Sequence, residues 1–264
     1  MILKNKNAVI YGAGGAIGSA VAKAFAKEGA NIFLTGRKIS KLEPVAKEIN
    51  AAGGSAEIAI VDALNEDDVR RHLQLVMEKF GGIDISFNAI GIPQTGVQGI
   101  PLTQLSAESF VMPATIYLKS HFLTATAAAK FMIPKNRGVI LTLTATPGKI
   151  AARLVGGMAP AWAAIESLTR TLAGELGYAG IRVVCLRADG MPETDTITEV
   201  FALHAKGAGM PSNKEFQSLM ESMTLLKRLP KLEEVANAAV FIASDQAGAI
   251  TGTTVNLSCG SVMD

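Results

Sequence analysis

A single doubly wound α/β domain with a Rossmann-type parallel sheet is the fold that this chain of 264 residues predicts. Three observations carry it. Short apolar runs alternate with helix-periodic segments from end to end, each pair taking about 25 to 30 residues, the size of a βαβ step. The first run opens directly into a glycine cluster. No linker or shift of composition divides the chain, so residues 1–264 read as one domain.

The elements follow in order. Residues 8–11 are the first strand-like run and 19–28 the first helix; 31–35 with 41–52, and 56–61 with 67–80, repeat the unit. A fourth strand at 83–88 leads to a long helix at 110–132, a fifth strand at 139–144, a helix at 161–178 and a sixth strand at 181–187. The helix at 232–244 and the strand at 254–257 complete the pattern. Strand runs this apolar suit a sheet covered on both faces. Residues 190–226 are irregular, with Pro192, Gly207, Gly209 and Pro211 set among Met191, Phe201, Met210, Phe216, Leu219, Met220 and Met223. They are expected to form helices folded over a cleft, either completing the core or acting as a small helical lid over an apolar ligand.

Composition excludes several classes. Lys and Arg number 25 against 23 acidic residues, a net charge of +2. A nucleic-acid binder concentrates cations on one face, so no nucleic-acid partner is expected. Mean hydropathy is +0.31, high enough to test for a membrane span. The longest uncharged stretch, residues 85–107, holds Asn88, Pro93, Gln94, Gln98, Pro101 and Gln104, which no bilayer helix accommodates. Lys4 and Lys6 lead into a short strand-like run where a signal peptide would have a long apolar core. Cys185 and Cys259 lie in apolar runs and suggest no disulfide framework, which fits a reducing, cytoplasmic compartment. No Cys/His cluster has metal-ligand spacing, so no metal is expected.

The glycine cluster gives the first functional expectation. Tyr11, Gly12, Ala13, Gly14, Gly15, Ala16, Ile17 and Gly18 join the first strand to the first helix. Glycines serve where the backbone turns tightly or approaches a pyrophosphate, and the helix N-terminus behind them offers free N–H groups. At the first strand–helix junction of a doubly wound chain, this predicts a dinucleotide site. After the second strand an NAD enzyme carries an acidic residue for the ribose 2′-hydroxyl. This chain has Gly36, Arg37 and Lys38 there. Arg37 suits the forked pairing of a 2′-phosphate, which favours NADP(H) over NAD(H).

With these residues in order, the chain resembles the short-chain dehydrogenase/reductase family over essentially its whole length. The turn at residues 12–18 is similar to the family's Thr-Gly-x-x-x-Gly-x-Gly, with Tyr11 and Ala16 as departures. Asp62, followed by Ala63, matches the family's adenine-contacting Asp, and Asn88, Ala89, Ile90 and Gly91 stand where it has Asn-Asn-Ala-Gly. Arg228-Leu229-Pro230, residues 240–245 and Ile250-Thr251-Gly252 resemble its tail. The resemblance implies a cofactor site built from Gly12, Gly14, Gly15, Ile17, Gly18, Arg37, Asp62, Ala63, Asn88, Ala89 and Gly91.

The family's chemistry uses an Asn, a Ser, a Tyr and a Lys. The flanking sequence aligns Tyr117 with the Asn, Ala145 with the Ser, Met158 with the Tyr and Trp162 with the Lys. Methionine gives no proton, tryptophan carries no charge and alanine polarises no carbonyl. Loss of a general acid alone costs on the order of 10² to 10⁴ in rate. Standard carbonyl reduction is therefore expected to be absent or very weak. An apolar carbonyl or enoyl compound is the expected substrate class, since an enoyl system spreads the arriving charge into an enolate. The alternative is a non-catalytic NADP(H)-binding sensor, or a partner subunit of an active relative. Pro160 is expected at the first helical position, which puts Met158 before the helix and Trp162 in its first turn. Tyr117, as the only tyrosine near the cleft, with His121 one turn on, is the candidate substitute donor. Thr144 and Thr146 are expected to point away from Ala145, Lys149 offers a cation for the ribose, and His72 and His204 are expected on the surface. The nicotinamide half is expected to be loose or displaced by the width of Trp162. Family members associate through helices matching residues 110–132 and 161–178, so a homo-dimer or tetramer is implied.

Overall fold

The computed structural model describes residues 1–263. Its strands are β1 (Asn7–Tyr11), β2 (Asn31–Gly36), β3 (Ser55–Ile60), β4 (Ile85–Asn88), β5 (Gly138–Ala145), β6 (Ile181–Ala188) and β7 (Thr253–Leu257). They form one sheet in the order β3-β2-β1-β4-β5-β6-β7, every neighbouring pair parallel. The helices are α1 (Ala16–Lys27), α2 (Ile39–Ala51), α3 (Glu66–Phe80), α4 (Ala107–Met132), α5 (Met158–Leu176), α6 (Asp195–Gly207), α7 (Asn213–Met223) and α8 (Leu232–Ala243).

Strand alternation sorts the core into two layers. In β1, Ala8 and Ile10 point to one face, where they join Val21, Phe25, Leu42 and Ile49 of α1 and α2 and Ala239 and Val240 of α8. Val9 and Tyr11 point to the other and meet Val69, Leu73 and Val76 of α3, Ala128 and Met132 of α4, and Leu172 of α5. Both faces of the sheet are thus sealed, as an all-parallel sheet requires.

Two sequence expectations give way here. α5 begins at Met158 with Gly157 as its N-cap, so Pro160 occupies the third helical position. The first four N–H groups of a helix have no intrahelical partner, so a proline there costs no ladder bond. Met158 therefore lies inside the first turn and Trp162 in the second. His72, expected on the surface, sits on the inward stripe of α3 beside Val69, Leu73 and Val76. Its Nδ1 has no partner, and burial lowers its pKa to about 4, so the ring is neutral. The period-3.6 position outweighed the polar character of the residue.

Residues 190–226 carry α6 and α7, capped by Thr194 and Ser212, whose side chains accept from the N–H groups of Ile197 and Glu215. No helix is long and apolar enough to cross a membrane among the described residues. Cys185 and Cys259 are free thiols, and the described residues contain no group of three or more His, Cys, Asp or Glu suited to a metal ion.

Candidate functional site

β1 pairs with β2 on one side and β4 on the other. The chain reverses its direction of travel across the sheet at this point, and the loops beyond the two strand ends diverge into a crevice. A cavity of about 980 Å³ opens there.

Its first half is built by backbone. Gly12 adopts φ +74°, and a Cβ on it would lie 2.6 Å from the Ala89 carbonyl oxygen. The turn then enters α1 with Gly15 as an extended N-cap, no capping side chain and no acidic residue in the first turn. The leading N–H groups are left to face whatever occupies the cavity, with the positive end of the helix dipole behind them. Gly12, Gly14, Gly15, Ile17, Arg37, Asp62, Ala63, Ala89 and Gly91 all border the cavity. Gly18 and Asn88 do not. A Cβ on Gly18 would run into the Gly12 carbonyl, so Gly18 lets the helix pack on the turn. Asn88 is a buried brace: its Nδ2 donates to Thr124 Oγ1 at 3.1 Å and its Oδ1 accepts from the Ile90 N–H at 3.1 Å. Asp62 Oδ1 accepts from the Leu64 N–H at 3.0 Å, and Arg37 is exposed and has no ion pair among the described residues.

Tyr11 also borders the cavity, which corrects the expectation that Tyr117 is the only tyrosine near it. Its hydroxyl is buried without a hydrogen-bond partner, and burial raises its pKa. An unmet buried hydroxyl costs about 1–3 kcal/mol. A bare glycine turn and an exposed guanidinium along one crevice fit a nicotinamide dinucleotide.

The second half holds the four residues that the resemblance read from the sequence expects at the catalytic positions. Tyr117, Ala145, Met158 and Trp162 all line it, so the fold brings them together. Burial pushes the Tyr117 phenol up to about 12, against a smaller lowering from its hydrogen bond with the Ile92 backbone. His121 does not pair with that phenol. Its Nδ1 lies 2.9 Å from the Tyr117 carbonyl oxygen, its Nε2 is buried without a partner, and burial lowers its pKa to about 4. The ring is packed inside the helix layer and is absent from the cavity wall. Lys149 is exposed and also off the wall. Thr144 turns to α5, donating to Glu166 Oε1 at 3.1 Å and touching Cys185 Sγ at 3.3 Å. Thr146 lies past the end of β5, where strand alternation no longer holds, and both threonines reach the cavity edge.

Several features had no sequence signal. Glu166 and Arg187 form a buried bidentate ion pair, Nε to Oε1 and Nη2 to Oε2, both at 2.8 Å. Their separation of 21 residues bears no fixed relation to either period. His204, expected on the surface of the lid, is buried on the cavity wall, its Nε2 3.0 Å from Gln98 Oε1. Gln94 and Gln98 are buried there too. Met191, Phe201, Phe216 and Met220 make the outer wall apolar.

Known proteins resemble the chain throughout. Residues 12–261 match the family model described as Enoyl-(Acyl carrier protein) reductase. An uncharacterised oxidoreductase of Bacillus subtilis strain 168 is 30% identical over 98% of this chain and 91% of its own. One from Thermotoga maritima is 31% identical over 99% of both. The crystal structure of an NAD+-bound xylitol dehydrogenase superposes with a TM-score of 0.93 at 25% identity, covering 98% of this chain and all of that one.

Proposed function

This chain belongs to the short-chain dehydrogenase/reductase family, and we propose that it binds NADP(H) and acts as an oxidoreductase on an apolar carbonyl or enoyl compound, with ordinary carbonyl reduction absent or very weak. The observation that carries the proposal is a single cavity joining the glycine turn and the unpaired Arg37 to an apolar chamber. When bound, the dinucleotide supplies or takes up hydride at its nicotinamide ring. The free amides where the glycine turn enters α1 would hold the pyrophosphate, Asp62 and Ala63 would border the adenine, and Arg37 would pair with the 2′-phosphate.

At the reacting end, Ala145, Met158 and Trp162 take the family's Ser, Tyr and Lys positions and provide neither proton nor charge. Tyr117 is the phenol left there. Its raised pKa keeps it protonated, able to donate a hydrogen bond and reluctant to release the proton. A conjugated enoyl substrate, which spreads charge over an enolate, depends least on a strong acid. Residues 190–226 act as the lid. Phe110, Val111 and Phe122 are exposed on α4 and support association into a homo-dimer or tetramer. The burial of Tyr117 favours a second function, a non-catalytic NADP(H) sensor or partner subunit.

Fluorescence titration with NADPH and NADH, followed by NADPH consumption with aldehydes, ketones and enoyl thioesters, tests the proposal. NADPH binds more tightly, Arg37→Ala removes the preference by weakening NADPH roughly tenfold or more, and turnover is seen with apolar carbonyl or enoyl probes, fastest with enoyl thioesters. Turnover of none of them leaves the sensor. No binding of either cofactor at millimolar concentration ends both.

A further inference from the structure

The apolar half of the cavity is interrupted by one connected polar strip. It starts at the Ile92 carbonyl oxygen, which accepts from Gln94 Nε2. Gln98 Nε2 donates to Gln94 Oε1 at 2.6 Å, and His204 Nε2 lies 3.0 Å from Gln98 Oε1. A backbone carbonyl only accepts, so each orientation after it is forced. Gln94 must present its NH₂ to Ile92 and its oxygen to Gln98. Gln98 must in turn present its oxygen to His204, and only a His204 Nε2–H can satisfy it. Burial lowers the His204 pKa and keeps the ring neutral, so Nδ1 carries a lone pair.

That lone pair is unused. Nδ1 bonds no group among the described residues and is not one of their sealed, partnerless polar atoms, and the ring that carries it borders the cavity. The ring is held in place. Its centroid is 5.3 Å from that of Phe216, and α6 is seated on the loop carrying Gln98. A Cβ on Gly99 (φ +80°) would lie 2.6 Å from the Leu203 carbonyl oxygen, and one on Gly207 would strike the Gly99 carbonyl. Thr95 Oγ1 donates to Glu199 Oε1 at 2.8 Å across the same seam.

We propose that His204, fixed by Gln98 and Gln94, is a specificity-determining hydrogen-bond acceptor that selects an apolar ligand carrying a hydroxyl group. This rests on the cavity being the ligand cleft of the proposed oxidoreductase and narrows its substrate class. Within an apolar enclosure the acceptor favours a ligand that donates, and a ligand offering only another acceptor leaves it unpaired.

The test uses the full chain, with and without saturating NADPH, and three probes of one shape: 2-naphthol, 2-methoxynaphthalene and naphthalene. Wild type binds 2-naphthol roughly five- to tenfold more tightly than the methyl ether. His204→Phe keeps the ring and the NADPH affinity but loses that preference. ¹⁵N-histidine spectra of the unaltered protein give a readout independent of any variant's folding: His204 is the neutral Nε2–H tautomer, and its Nδ1 signal moves with 2-naphthol and not with naphthalene. Equal binding of 2-naphthol and its ether to wild type, an undiminished preference in His204→Phe, an Nδ1–H tautomer, or no binding of any probe at millimolar concentration overturns the proposal. Preference for 2-naphthol without any NADPH binding leaves it standing while removing the oxidoreductase function.

Discussion

Arg187→Met is expected to be among the most damaging single changes that leave the cavity lining in place. The guanidinium and the Glu166 carboxylate are 3% and 7% exposed as side chains and share two bonds of 2.8 Å. Removing the cation strands a carboxylate beneath α5 with Thr144 Oγ1, at 3.1 Å, as its hydrogen-bond donor. Breaking a buried pair from one side costs about 3–5 kcal/mol, whereas replacing both partners with apolar groups of similar volume is close to neutral. In a chain of this size that loss lowers Tm by roughly 10 °C. Urea unfolding of wild type, Arg187→Met, Glu166→Leu and the double variant reads the coupling directly, with the double variant expected to lose less than the sum of the two single losses. A single-variant loss below about 1 kcal/mol would refute the reasoning.

Three further outcomes are expected. His72 and His121, both held near pKa 4 by burial, have folded values below the unfolded 6.5, so they take up protons on unfolding. Stability falls as pH drops from about 6.5 to 4, by at most roughly 3 kcal/mol for each; in urea titrations His72→Leu flattens this limb relative to wild type, and parallel curves would sink the idea. Gly12→Ala, forced to φ +74° with its Cβ 2.6 Å from the Ala89 carbonyl oxygen, lowers Tm and weakens NADPH at least tenfold, while Gly91→Ala, which meets nothing within 4 Å, leaves Tm unchanged. Tyr117→Phe preserves NADPH affinity and cuts enoyl turnover about a hundredfold, the low end for a lost donor; unchanged turnover removes Tyr117 from the chemistry.

The lid segment shows how far pattern reaches. Its apolar residues and breakers predict helices over a cleft; the structure has two, capped by Thr194 and Ser212 in the ordinary way. That α6 is seated against the loop after β4 depends on Gly99 and Gly207, over 100 positions apart, meeting backbone to backbone. His72 and His204 fail as surface residues for a related reason. A lone imidazole has no periodic signature, and its burial is decided by what packs over it. α5 is a nearer miss. Proline restricts the helix start to a few positions, and the loop from Ala145 to Gly157 chose the earliest.

By itself the sequence determined the alternation that builds a parallel sheet, the glycine turn at its first junction and the absence of a carboxylate beside Arg37, because each is local and repeats with the period of the backbone. The tertiary structure alone decided which polar groups lose water together: Glu166 with Arg187, and Gln94, Gln98 and His204 in one oriented chain. Those pairings join distant segments, and their strength comes from a low-dielectric interior that exists only once the sheet and its helices have closed around them.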